Sequence, residues 1–135
     1  MKNSFYSMFL IDSASKLKPM FVTDNFSGST LKANVRFFNV SPNSATVTVG
    51  LLQGTTFTPL FSNRGFETQT SGTANEKFIE VTPGVYSVQV RRASDGFVLL
   101  TANDVTLQNG RYYTQVLRGF NSVEAPLILQ TLMNH

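Results

Sequence analysis

The stretch Val81-Thr82-Pro83-Gly84-Val85-Tyr86-Ser87-Val88-Gln89-Val90-Arg91 decides the fold class. Pro83-Gly84 is turn chemistry, because proline pre-sets φ and glycine tolerates positive φ. Beyond the turn, Tyr86, Val88 and Val90 alternate with Ser87, Gln89 and Arg91. A period of two sends these sets to opposite faces of a strand, one toward a core and one toward water.

The pattern recurs outward in both directions. Val35 and Phe37 alternate with Asn34, Arg36 and Phe38, and Val47, Val49 and Leu51 with Thr46, Thr48 and Gly50. Val105 and Leu107 flank Thr106, and Tyr112, Thr114 and Val116 alternate with Tyr113, Gln115 and Leu117. Phe5 to Ile11 reads as a strand, not as the apolar stretch of a secretory signal, since Ser4, Tyr6 and Ser7 dilute it and Asp12 closes it. Leu127 to Leu132 is mostly apolar on both faces and reads as an interior strand, or one covered by a partner. Apolar residues at helical spacing are nowhere sustained. Ser41-Pro42-Asn43 separates two strands, and Ser94-Asp95-Gly96 and Asn109-Gly110 read as hairpin turns. Asn63 to Asn75 is polar and reads as a long loop or irregular crossover, with a helical turn expected near Ala74 to Lys77.

About eight to ten short strands at roughly ten-residue spacing predict an all-β fold, an immunoglobulin-like or transthyretin-like antiparallel β-sandwich. Val35, Phe37, Val47, Val49, Tyr86, Val88, Val90 and Val116 are expected to line one core between two sheets. Phe37, Pro42, Pro83, Gly84, Tyr86, Gly110 and Tyr112 are the expected structural positions, with positive φ at Gly84 or Gly110.

Composition narrows the function. The 135 residues suit one domain and can bury a core without staples. There is no cysteine, so disulfides and thiolate metal sites are excluded. The one histidine is His135, which excludes a multi-histidine metal site and argues against a histidine-dependent triad. No cofactor and no catalytic residue is expected, and no run is long and apolar enough for a membrane helix. Eleven Lys and Arg against eight Asp and Glu give a formal charge of +3. The arginines are spread along the chain, whereas nucleic-acid binders cluster theirs, so nucleic acid is not an expected partner. No Gly-x-Ser-x-Gly elbow or Gly-rich phosphate loop occurs. The acids read as solvated turn and strand positions, not as a carboxylate pair.

The two ends of the chain resemble each other. Phe5-Tyr6-Ser7 followed by Pro19-Met20 matches Tyr112-Tyr113-Thr114 followed by Pro126-Leu127, at one offset of 107 positions from Tyr6 to Tyr113 and from Pro19 to Pro126. Both ends read as strand, polar turn, strand. Residues 1–27 therefore read as the closing hairpin of a preceding repeat, and residues 28–135 as a complete sandwich module. The hairpin is expected to extend its own sheet or to pair with a second chain. Exchange of residues 3–24 for 110–131 in a neighbour is a further route to a homodimer.

Four motifs carry a family resemblance. Ala33-Asn34-Val35-Arg36-Phe37-Phe38-Asn39-Val40-Ser41-Pro42-Asn43, Leu60-Phe61-Ser62-Asn63-Arg64-Gly65-Phe66, the Pro83-Gly84-Val85-Tyr86 turn entering Val88-Gln89-Val90-Arg91, and Val105-Thr106-Leu107 with Gly110 and Tyr112-Tyr113-Thr114 occur in order over residues 31–133. Together they resemble domain of unknown function 4397. The resemblance implies bacterial, exported or surface-anchored β-sandwich modules, often in tandem, with no assigned activity. An export signal would then lie outside this stretch. A more distant likeness is to the periplasmic adaptor of alginate acetylation. The expected role is a non-enzymatic structural or binding module of a cell-envelope or secreted protein, with a carbohydrate-binding or polysaccharide-modification accessory domain as the alternative. The partner would be a cell-surface glycan or protein. Arg64, Phe66, Arg91 and Tyr113 are the expected binding surface, with one of the Tyr112–Tyr113 pair outward-facing.

Overall fold

The computed structural model describes residues 5–11, 18–24, 30–41, 45–67, 69–119 and 127–133; within the first two of these segments, side chains are described at Val22 and Asp24. In chain order the elements are β1 (Phe5–Ile11), β2 (Lys18–Asp24), β3 (Ala33–Asn39), β4 (Val47–Gln53), β5 (Thr56–Arg64), α1 (Gln69–Ala74), β6 (Ile79–Val81), β7 (Gly84–Arg92), β8 (Val98–Leu107), β9 (Tyr112–Arg118) and β10 (Ile128–Met133). The chain is all-β, a sandwich of two four-stranded sheets ordered β10-β9-β3-β6 and β5-β4-β7-β8, with β1 and β2 forming a separate two-stranded sheet. All pairings are antiparallel except β3 with β9, which is parallel and sets Val35 beside Tyr113 and Phe37 beside Gln115.

The period-two pattern explains the core between the sheets. Ala33, Val35 and Phe37 of β3 and Tyr113 and Leu117 of β9 meet Val47, Val49 and Leu51 of β4, Val88 and Val90 of β7, Phe61 and Leu107. The Phe37 and Phe61 rings lie 5.9 Å apart. Six of the eight expected core residues belong to this cluster, and two depart from the expectation. Tyr86 is half-buried and packs against the margin of the cluster. Val116 is buried but lies outside the cluster, because it shares a face of β9 with Tyr112 and Thr114 and not with Tyr113.

That second face is itself covered. Every residue of β3 and all of β9 up to Leu117 is buried. The N-terminal hairpin does not extend either four-stranded sheet, as one of the two expectations had it, but lies over its own module: Val22 of β2 packs with Phe38, together with Val40 and Phe66. Asp24 of β2 accepts a short hydrogen bond from Nη2 of Arg36. The Arg36 side chain has no exposed surface. Its Nε donates to Thr114 Oγ1 at 2.9 Å and its Nη1 to the Glu76 carbonyl at 3.2 Å. The Phe78 and Phe38 rings flank it, 4.4 and 5.2 Å from the guanidinium carbon. Burial pushes the guanidinium below its ordinary value, and the Asp24 carboxylate opposes that shift.

Other expectations also meet the structure differently. Leu127 to Leu132 does form a strand, but β10 is an edge strand and not an interior one. Asn109-Gly110 carries the chain between the sheets and is no hairpin turn; Gly110 has φ 72° and its N–H donates to the Lys32 carbonyl at 2.9 Å. The positive φ expected at Gly84 or Gly110 is met at Gly110, while Gly84 has none. Ser94-Asp95-Gly96 does close the β7–β8 hairpin, with φ 77° at Gly96. The short helix lies at Gln69–Ala74, ahead of Ala74 to Lys77, within the crossover from β5 to β6. Pro42 lies outside the described residues. At the offset of 107, β1 falls on β9 residue for residue, and both hairpins are antiparallel. Ile11 pairs with Lys18 and Arg118 with Ile128, spans of seven and ten positions, so the second connection is three residues longer.

Two stability experiments follow. Phe37→Ala empties a fully buried site and lowers unfolding free energy by about 3–5 kcal/mol in denaturant titration. Asp24→Ala strands a buried guanidinium and costs about 3–5 kcal/mol, most of which Arg36→Met in the same chain recovers.

Candidate functional site

The sandwich is closed on one side, where β8 and β10 approach each other. On the opposite side a cleft of about 510 Å³ opens between the edge strands β5 and β6. Its apolar lining is Leu51, Leu60, Val81, Pro83 and the Tyr86 ring, and its polar lining is Gln53, Thr56, Thr58, Glu80 and Thr82. The strand period supplies this mixture, since Thr56, Thr58 and Leu60 lie on one face of β5 at spacing two. Tyr86 Oη donates to the Thr82 carbonyl at 2.6 Å, which holds the ring across the β6–β7 turn. Lys32 Nζ donates to Thr82 Oγ1 at 3.3 Å. Among the described residues Glu80 is the one carboxylate in the lining. The lining offers hydrogen bonding over an apolar floor.

The outer face of the β5-β4-β7-β8 sheet forms a second polar surface. The Arg91 guanidinium carbon stands 3.7 Å from the Phe57 ring centroid. Phe57 reaches it by crossing Gly50, where an added Cβ would sit 2.7 Å from the ring and 2.3 Å from the Thr58 carbonyl oxygen. Gln89 Oε1 accepts from Nε and Nη2 of Arg91 at 3.0 and 2.8 Å, and Gln89 Nε2 donates to Thr101 Oγ1 at 3.3 Å. Ser87 Oγ donates to Asn103 Oδ1 at 2.9 Å.

The four expected surface residues are not brought together. Tyr113 is buried in the inter-sheet core, and its hydroxyl accepts the Gln108 N–H at 2.9 Å. Tyr112 is buried too, on the opposite face of β9, with its ring 5.1 Å edge-on to Phe78, so neither tyrosine of the pair faces outward. Both faces of β9 are covered, which alternation alone does not reveal. Phe66 packs on Phe38 and Val22. Arg64 is held by the crossover: its guanidinium donates a short hydrogen bond to the Phe37 carbonyl, lies 4.0 Å from Glu67 and stands 5.5 and 5.3 Å from the adjoining Phe37 and Phe61 ring centroids. Desolvation pushes Arg64 below its ordinary value, opposed by Glu67. Only Arg91 occupies an open sheet face. The cleft residues Gln53, Thr56, Thr58 and Glu80 escaped the sequence reading, although the Thr-Phe-Thr alternation at 56–58 was there to be read.

No family model and no curated protein matches the chain.

One exposed ion pair carries a measurable titration. Nε and Nη2 of Arg92 donate to Oδ1 and Oδ2 of Asp95 at 2.9 and 2.6 Å, and the Phe97 N–H donates to Oδ1 at 3.1 Å. The Arg92 hydrogen bond, then the Phe97 amide, holds the Asp95 carboxyl down at about 2. The folded value lies below the unfolded one of about 3.9, so the pair's contribution is present above pH ~4 and is lost as pH falls toward ~2. An NMR titration should place the Asp95 midpoint near 2, and Arg92→Gln should return it toward the ordinary aspartate value.

Proposed function

We propose that this protein is a non-enzymatic structural or binding module of a bacterial cell-envelope or secreted protein, and that the β5–β6 cleft is its ligand surface. The observation that carries this reading is how the polar groups are used. Asp24, Glu67 and Asp95 are occupied in holding Arg36, the crossover and the β7–β8 turn. The cleft, by contrast, presents hydroxyl, amide and carboxylate groups over an apolar floor. Small-ligand sites combine apolar surface with placed polar groups, and this cleft divides its lining evenly between the two. The setting in the envelope rests on the resemblance of the four motifs to those of the tandem surface modules. The same lining favours the second reading, a carbohydrate-binding or polysaccharide-modification accessory domain, because hydroxyl-rich ligands suit threonine, glutamine and glutamate beside the Tyr86 ring.

A glycan array followed by calorimetry on the whole chain tests both. Saccharide binding weakened about tenfold, roughly 1.4 kcal/mol, by Gln53→Ala and by Glu80→Gln supports the second reading. Both residues are exposed, so the thermal midpoint should not move. Binding abolished by Arg91→Ala instead would transfer the site to the outer sheet face. An array without binding would leave the structural role.

A further inference from the structure

The two sheets have four edges, and three carry features that discourage pairing with another chain. β5 contains Pro59, which removes a ladder donor, and its register with β4 shifts twice, with Asn63 at φ 55° beside one shift. β8 shifts register twice against β7, with Asp104 at φ 57° at one of them. β6 is three residues long, and Pro83 follows two positions beyond it. β10 has no such feature. Its register with β9 is unbroken from Ile128 to Met133, and Ile-Leu-Gln-Thr-Leu-Met contains no charge, proline or glycine. Among the described residues it pairs on one side only. Ile128 and Met133 are 47% and 61% exposed.

We propose that β10 is the seam of a symmetric homodimer, in which it pairs antiparallel with β10 of a second copy and joins the two β10-β9-β3-β6 sheets into one. The strand's own sequence identifies the partner. A two-fold axis normal to the sheet keeps each face on its own side, so residues of equal parity must meet across the seam. Leu129 packs toward the inter-sheet core, which places Leu127, Thr131 and Met133 on that face and Ile128, Gln130 and Leu132 on the other. With Gln130 on the axis, Ile128 meets Leu132 of the second copy and Met133 meets Leu127. Both exposed apolar residues then face apolar partners, and Gln130, whose Oε1 accepts from Arg118 Nη1 at 3.3 Å, faces its own copy across the axis. Shifting the axis to Thr131 would leave Ile128 without a partner within β10 and lose this match. The strand itself is uncharged and self-complementary, and the one cation beside it, Arg118, is engaged by Gln130 of the same copy. β1–β2, the sequence's first candidate for self-association, is engaged on its own module through Val22 and Asp24.

The test is the oligomeric state of the whole chain by sedimentation equilibrium. A mass twice the 14.9 kDa of the chain is expected. Ile128→Lys with Leu132→Lys sets like charges opposite one another and should give monomer with an unchanged circular dichroism spectrum. Ile128→Lys with Leu132→Glu pairs opposite charges across the same axis and should restore the dimer. Because the chain has no cysteine, Gln130→Cys alone offers a second reading, a disulfide-linked dimer under mild oxidation. A wild-type monomer at high micromolar concentration overturns the proposal, and so does a dimer indifferent to the double-lysine change. Loss of the dimer in both double variants, without the Gln130→Cys cross-link, overturns this register.

Discussion

A guanidinium with no exposed surface, that of Arg36, constrains the whole β10-β9-β3-β6 side of the molecule. Removing an unpaired cation from water is costly enough that it must be matched by a countercharge, by hydrogen bonds, or by both. Asp24 supplies the countercharge from β2, Thr114 supplies an acceptor from β9, and Glu76 supplies a carbonyl from the connection ahead of β6. The Phe78 and Phe38 rings both lie against the cation. Three segments far apart in sequence are therefore pinned to one side chain on the central strand. What alternation predicts as the solvent face of β3 becomes a second interior, and the N-terminal hairpin becomes part of the module it covers.

The same strand meets a second constraint at its edge. β6 pairs with β3 only from Ala33 to Val35. Beyond that point the crossover completes the ladder with side chains as well as backbone. Arg64 donates to the Phe37 carbonyl, Glu67 accepts the Asn39 N–H at 3.1 Å, and the Glu67 N–H donates to the Asn39 carbonyl at 2.8 Å. Ser71 and Asn75 then hold the other oxygen of Glu67 at 2.7 and 3.2 Å. This explains why a polar stretch with few apolar residues keeps a fixed course: its polar groups stand in for the missing strand.

The inter-sheet core was legible in the sequence because one physical rule, the two-residue period, reports directly on which side chains share a face. The Asp-Gly turn was legible for a similarly local reason, since positive φ is a property of the residue that adopts it. Val116, Tyr112 and Tyr113 show where that kind of reading ends. Alternation separates the faces of β9 but cannot say that both are covered, because the cover comes from β2 and from Phe78, at long sequence distance. The position of β10 was hidden for the same reason. A mostly apolar strand reads as interior, yet order within a sheet is set by pairing, and the parallel β3–β9 contact leaves β10 outside. The cleft depends on two edge strands failing to meet, which no local pattern records.

The placement of the two proposed surfaces links them. β6, beside the cleft, and β10 are the opposite edges of one sheet. A seam at β10 therefore leaves the cleft open in each copy. It also makes β6 the outermost strand at both ends of an eight-stranded sheet. At about 4.8 Å per strand the two clefts would stand roughly 35 Å apart, somewhat less along the curve of a twisted sheet. The spacing is fixed by backbone hydrogen bonds and not by a flexible linker, so a ligand that reaches one cleft and repeats along its length meets the second at a defined separation. Weak single-site binding is then compatible with firm attachment to a polymer, since the second contact is made at high effective concentration without any new interaction. A small cleft with one carboxylate and a few hydroxyls is suited to that regime, in which strength comes from geometry and number.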